Sequence, residues 1–362
     1  MKIAILSNSS GGLYNFRRDL ILRLIGDGHD VVALTPLDDR RDQLSETGIR
    51  LVGVEIDRRG MNPLRDLRYF FRCRRFFREE RPDLVVTYTI KPNVYGGCAC
   101  RLMRIPYAGN VTGLGTAFEG DGLLRKIVVL LNKVALRRAK CVFFENSENL
   151  RLFVDEKIIR KDRAVLLNGA GVNLAHFQYE PYPPEDKPFR FLFMGRLMRE
   201  KGVEELFGAM QMLRAEGYDC TLDVLGDSEE RFEDSIRQGE GQGWLRYHGR
   251  QSDVRPFIKN AHCFVLASYH EGMANVNLES AATGRPIVTS DIPGCREAVI
   301  EGKTGFLCKP KDAQSLYEAM KKMLALSNPE RAEMGREGRA HMEAVFDKKK
   351  VVENTVRELY RA

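Results

Sequence analysis

Short apolar runs alternate with stretches of helical period along this chain, and the alternation stops once and then restarts. Lys2–Leu6, Asp30–Leu34, Leu84–Tyr88, Pro106–Asn110 and Cys141–Phe144 read as strands, with a helix over Leu13–Gly26. Glu180–Pro188 then brings four prolines in nine residues, which continue neither a helix nor a central strand. Beyond it Phe189–Met194, Thr221–Leu225, Trp244–His248, Cys263–Ala267 and Ile287–Thr289 read as strands, with helices near 202–215, 228–238, 253–260, 274–283 and 312–326. Such alternation predicts parallel sheets covered by helices on both faces. The expectation is a first domain over 1–180, a linker over 181–188 and a second domain over 189–345, with a terminal helix near 346–362 able to pack back on the first. A length of 362 residues, more than one core usually supports, agrees.

Eight cysteines stand mostly inside apolar runs, with no C-x-x-C pair and no histidine cluster at zinc spacing. They read as buried free thiols of a reducing compartment. The opening Met1–Leu6 run is too short for a signal peptide, and no apolar run reaches the roughly 18–20 residues that span a bilayer. A cytoplasmic protein whose membrane contact is peripheral is expected. The net charge of +7 is modest, and its distribution matters more.

Open parallel sheets bind ligands beyond the carboxyl ends of their strands. After Phe189–Met194 comes Gly195-Arg196, then Lys201-Gly202 and a helix. A glycine admits close backbone approach, and two cations beside a helix N-terminus suit a diphosphate, although a solvated basic loop has the same composition. After Cys263–Ala267, Gly272 and the residues after it are expected to open a helix, offering N–H groups from Gly272, Met273, Ala274 and Asn275 to phosphate oxygens. Glu271 precedes that helix, and Glu279, about two turns inside it, can accept two hydrogen bonds from a ribose diol. By spacing alone, a surface ion pair accounts for either glutamate equally. The turns at Gly226 and at Gly249-Arg250 are placed to shape a pocket for a base, and Ser290–Glu297 to border it.

Taken together, Gly195-Arg196 with Lys201-Gly202, Glu271 with seven residues before Glu279, and Pro286, Gly294 and Glu297 resemble glycosyltransferase family 4 over nearly the whole chain. That resemblance implies the α/β GT-B fold, two Rossmann-like parallel-sheet domains facing each other across a cleft, and retention at the anomeric carbon. It implies catalytic roles for Glu271, Arg196 and Lys201: the two cations on the donor diphosphate, Glu271 on the donor sugar. Glu279 would hold the ribose hydroxyls. It implies work without a bound metal or other cofactor.

In the first half, Ser9-Ser10-Gly11-Gly12 follows the first strand. A dinucleotide site is excluded there, because G-x-G-x-x-G is incomplete and no acid follows Val31–Leu34. The segments Thr87–Asn93, with Lys91, and Asn110–Phe118 resemble those of bacterial enzymes that add N-acetylhexosamines to polyprenyl-diphosphate-linked sugars. Gly11, Gly12, Lys91, Asn110 and Thr112 are therefore expected at the acceptor or the cleft. No histidine occurs over 84–120, where many family members carry one, so Asn110 or Thr112 would serve instead.

Between Arg58 and Arg81 nine arginines face three acids, and Arg65, Arg68, Arg72 and Arg75 form one helical stripe opposite Phe70, Cys73, Phe76 and Phe77. Leu123–Lys140 sets Arg125, Lys126, Lys133, Arg137 and Lys140 apart from Ile127, Leu130, Leu131 and Val134. Arg65, Arg68, Arg72, Arg75, Arg125 and Lys126 are expected to meet an anionic membrane surface; basic outer faces of sheet-covering helices are the plainer account.

The expected protein is a hexosyltransferase taking a UDP-sugar, GalNAc or GlcNAc, to a lipid-linked glycan at the cytoplasmic membrane face, in surface polysaccharide or glycoprotein glycan assembly. The alternatives are a sugar-nucleotide epimerase or hydrolase of the same architecture, or a transferase using GDP-sugars. A nucleic-acid partner is disfavoured, since the basic stripes lack a recognition motif.

Overall fold

A computed structural model describes residues 1–38, 40–57, 60, 62–114, 122–185, 188–230 and 232–361. Arg58, Arg59, Asp186, Lys187 and the 115–118 part of the expected acceptor segment lie outside the described residues. The chain divides into two units, Met1–Ala170 with Lys348–Ala362, and Gly171–Asp347.

The first unit runs β1 (Lys2–Leu6), α1 (Ser10–Gly26), β2 (Asp30–Thr35), α2 (Arg41–Ser45), β3 (Arg50–Gly53), α3 (Pro63–Glu80), β4 (Leu84–Tyr88), α4 (Gly97–Met103), β5 (Tyr107–Val111), α5 (Leu123–Leu136), β6 (Cys141–Phe144), α6 (Ser147–Asp155) and β7 (Ala164–Leu166). Its sheet is parallel in the order β3-β2-β1-β4-β5-β6-β7. Side chains alternate across a strand, so β1 gives Ala4 and Leu6 to a core shared with α3, α4 and α5. Its Ile3 and Ile5 enter a second core, shared with α1. α1 starts at Ser10 because the Ser9 hydroxyl accepts from the Gly12 amide at 3.0 Å. α3 starts after Asn62, whose side chain caps the Leu64 and Arg65 amides, with Pro63 at the first helical position.

The second unit runs β8 (Phe189–Met194), α7 (Val203–Ala215), β9 (Cys220–Leu225), α8 (Glu233–Gly241), β10 (Leu245–Gly249), α9 (Arg255–Asn260), β11 (Cys263–Leu266), α10 (Asn275–Ala282), β12 (Ile287–Ser290), β13 (Gly305–Cys308), α11 (Ala313–Ala325) and α12 (Asn328–His341). Its parallel sheet has the order β10-β9-β8-β11-β12-β13. The last helix, α13 (Lys348–Tyr360), belongs to the first unit and places Val356 and Leu359 in the α1 core.

Both sheets carry the Rossmann order, in which the chain reverses direction between β1 and β4 and again between β8 and β11. The short strands β3, β7 and β13 escape the sequence pattern because each is an edge strand of three or four residues, partly exposed throughout β3 and β7 and in the middle of β13.

The boundary expected at 181–188 is displaced. The second unit begins at Gly171, and the proline-rich segment is tied into it. Arg285 donates to the carbonyls of Glu180 at 3.1 Å and Pro181 at 2.9 Å, and Asn328 donates to that of Pro183 at 3.3 Å. The Tyr182 hydroxyl donates to the His262 carbonyl at 2.9 Å. Prolines forbid ladder pairing but leave their carbonyls available, so the segment is pinned by side chains instead.

Candidate active site

In the second sheet, the loops that follow β8 and β11 meet at the switch point. Lys201 lies in a 3-10 turn after β8, and Gly202 ends that turn in the left-handed region at φ 68°. A Cβ on Gly202 would stand 2.0 Å from the Ala267 carbonyl oxygen, so only glycine lets these two loops touch. Lys201 Nζ consequently donates to Glu271 Oε1. Buried Ser268 donates to the same oxygen at 2.8 Å and orients the carboxylate. Both partners of the ion pair are largely shielded. Removing either charge of a shielded pair leaves the other uncompensated.

Gly294 holds the third wall. It sits at φ 84°, and a Cβ there would lie 2.7 Å from the Gly272 oxygen and 2.8 Å from that of Glu271. The Ser290–Glu297 turn thus borders the glutamate, with the Gly294 amide donating to Glu297 Oε2 at 2.7 Å.

The glycine requirement at the strand ends falls on Gly226 rather than Gly195. Gly226 has φ 139°, and its Cβ would lie 1.8 Å from the Gly195 oxygen; Gly195 itself would meet only the Phe193 ring, at 3.3 Å. Arg196 Nη1 donates to Glu229 Oε1 at 3.0 Å and Oε2 at 2.9 Å. Arg250 lies 3.8 Å from Asp227. Each expected donor-site cation therefore has a carboxylate beside it.

The helix after Glu271 begins at Asn275, not at Gly272. Ala274 precedes it, and its amide donates to the Gly294 carbonyl at 2.7 Å, which removes that N–H from the expected phosphate contacts. The open helix tip is that of Asn275 and Val276, with Met273 buried beneath it. Glu279 is half-buried and one turn inside α10 rather than two. Near it, buried Asn277 donates to the Thr289 hydroxyl at 3.1 Å, joining α10 to β12.

In the first unit, Gly11 and Gly12 belong to the first turn of α1, not to a loop before it. The amides of Ser10 and Gly11 donate to Asp38 Oδ1 at 2.8 and 3.2 Å, and the Ser10 hydroxyl donates to the same oxygen. Lys91 Nζ reaches Asp66 Oδ1 at 2.6 Å and the Gly60 carbonyl at 2.7 Å, and Tyr95 donates to the other Asp66 oxygen at 2.9 Å. Burial and that carboxylate push the Tyr95 phenol upward. Asn110 is buried in β5 and Thr112 half-exposed just after it.

An open cavity of about 750 Å³ lies between the end of β3 and α3, and it brings Lys91 together with Arg65, Arg68 and Arg72. Asp57 in its wall pairs with Arg65 at 3.4 Å. Arg75 pairs with Glu79 at 2.7 Å, and Arg125 with Glu156 at 2.6 Å, while Lys126 is an exposed cation of α5.

Sequence reasoning missed Ser268, Glu229, Asp38, and the buried pair of Arg17 with Glu145, over which Tyr88 lies 4.8 Å from the guanidinium. Ser268 had a signal, a polar residue closing an apolar strand. The others are partners across 27 or more positions, which no local pattern reveals.

Each unit matches a family model of its own. A model described as "Glycosyl transferase 4-like domain" matches residues 11–169, and one described as "Glycosyl transferases group 1" matches 177–341. An N,N'-diacetylbacillosaminyl-diphospho-undecaprenol alpha-1,3-N-acetylgalactosaminyltransferase of Campylobacter jejuni is 27% identical, over 90% of this chain and 89% of its own. A UDP-Gal:alpha-D-GlcNAc-diphosphoundecaprenol alpha-1,3-galactosyltransferase of Escherichia coli is 24% identical over 79% of this chain and 76% of its own. The crystal structure of Anabaena HepE in complex with UDP superposes with a TM-score of 0.78 at 18% identity, covering 99% of both chains. With a matching domain in each of its two Rossmann-like units, the chain belongs to the glycosyltransferases of the GT-B fold.

Proposed function

We propose that this enzyme transfers an N-acetylhexosamine, GalNAc or GlcNAc, from its UDP-sugar to a polyprenyl-diphosphate-linked glycan, with retention of anomeric configuration. The observation that carries the donor half is the Lys201–Glu271 pair, oriented by Ser268 at the switch point of the second sheet. Lys201 and Arg196 neutralise the departing diphosphate, whose charge grows as the glycosidic bond to phosphate breaks. The tip of α10 adds backbone N–H groups. Glu271 meets hydroxyls of the donor sugar and Glu279 those of the ribose. The names of the Campylobacter and E. coli relatives support the lipid-linked acceptor. Its anionic diphosphate suits the excess of cations in the cavity, where Arg65, Arg68, Arg72 and Lys91 stand against Glu55, Asp57 and Asp66. The acceptor places the enzyme at an anionic membrane surface.

Donor screening tests this reading. With a short-chain polyprenyl-diphosphate glycan supplied, product should form from UDP-N-acetylhexosamines and should persist in EDTA, since the two cations do the work of a metal. Transfer from GDP-mannose alone, or conversion of the free nucleotide sugar without acceptor, would replace it.

Glu229 yields a separate expectation. Both its carboxylate oxygens accept from Arg196 Nη1, so donor must displace a carboxylate to engage that nitrogen. Glu229→Gln should tighten UDP binding by about threefold, the scale of a part-exposed ion pair. Calorimetry measures it, and weaker binding would mean that Glu229 aims Arg196 at the ligand.

A further inference from the structure

Helix α5 is apolar on two sides. Val129, Ala135 and Leu136 are buried on the side of the first unit's core, as a sheet-covering helix requires. Ile127, Leu130 and Val134, set apart from the cations in sequence, point outward rather than inward, exposed by 45, 60 and 42%, and Leu123 precedes them at 74%. Their spacing of four, three and four residues draws one straight ridge along the helix. Lys126, Lys133 and Arg137 border that ridge, and α5 contains no acid.

The ridge does not stand alone. α4 packs between α3 and α5, and Arg101 of α4 donates to the Val134 carbonyl at 2.7 Å. All three helices share one core, so they cover the same face of the sheet. Leu102 on α4 and Leu64 and Phe71 on α3 are exposed by 61, 71 and 52%. Arg68 and Arg75 rise beside them on α3. Isolated exposed aliphatic residues are ordinary, but a run of them over three adjacent helices marks a contact surface.

We infer that the outer face of α5, continued by α4 and α3, docks on an anionic phospholipid bilayer, its aliphatic side chains entering the acyl boundary. Charge selects this occupant. The charged residues of α5 are all cations, with Glu79 beside Arg75 an acid at the α3 edge, so a second copy of the chain would oppose like charges along the ridge, whereas lipid phosphates neutralise them. The inference rests on the lipid-linked acceptor for its membrane address. It moves the principal contact from the arginine stripe of α3 to the aliphatic ridge of α5, with the cations as a rim.

Sedimentation of the full chain with vesicles tests it. Wild type should bind phosphatidylglycerol vesicles, and Ile127→Asp with Leu130→Asp should weaken binding by about tenfold or more. Turnover on a short-chain, water-soluble acceptor should stay unchanged, which shows that the variant is folded. Absence of that turnover in wild type would defeat the acceptor reading without touching the docking surface. As a gain-of-signal variant, Leu130→Trp should shift its emission to the blue on vesicles and be quenched by brominated acyl chains. Equal vesicle affinity of wild type and the Asp variant, or absence of wild-type binding, would overturn the assignment. So would Leu130→Trp emission that brominated chains leave unquenched, or a dimer that the Asp pair dissociates.

Discussion

Replacing Lys201 with alanine is expected to lower turnover by about 100- to 1,000-fold while changing UDP affinity far less. One preorganised charge aimed at a leaving group contributes on that scale, because its interaction grows as the transition state forms. The surroundings sharpen the expectation. Lys201 is held through a turn that only Gly202 permits, and its partner Glu271 is oriented by Ser268. The alanine variant also leaves the Glu271 carboxylate without its lysine in a shielded position, opposing the donor diphosphate. Loss of both partners, in Lys201→Ala with Glu271→Gln, should therefore cost less than the product of the single losses. Steady-state kinetics with saturating donor, alongside calorimetry with UDP, separates the two effects. Turnover equal to wild type would remove Lys201 from the site.

Arg285→Met is expected to destabilise the second unit by about 3 kcal/mol, the scale of stranding several buried carbonyls. Arg285 is fully buried and donates to the carbonyls of Ile258 at 3.0 Å, Gly284 at 3.3 Å, Glu180 at 3.1 Å and Pro181 at 2.9 Å. Burial pushes its pKa down to about 10, yet it stays charged at neutral pH because these four dipoles replace water. Methionine fills part of the space and satisfies none of them. A melting temperature lower by roughly 6–12 °C follows for a unit of this size. Trp244, the only tryptophan and buried in that unit, reports the transition by fluorescence. A variant melting with wild type would show that the proline-rich segment holds without its arginine.

That segment illustrates where local pattern stops. Four prolines exclude helix and ladder, and a linker is the natural reading of Pro181–Pro188. Whether such a stretch hangs free or is pinned depends on Arg285 and Asn328, more than 100 positions away. The start of α10 shows the same limit. Gly272 reads as a helix opening, but the Pro293-Gly294 turn takes up the Ala274 amide and delays the helix to Asn275.

The amino-acid order alone determined the two alternating halves and the placement of Lys201, Glu271 and Glu279 beyond strand ends. Both follow from periodicity and from glycine spacing, which act within a few residues. Only tertiary packing decided that Lys201 pairs with Glu271 and Arg196 with Glu229, since those partners are set by which strands lie side by side. It also decided which flank of α5 is outward. A helix with aliphatic residues on both sides carries no periodic signal for its buried face, and the choice fell to the sheet and to α4 packed against it.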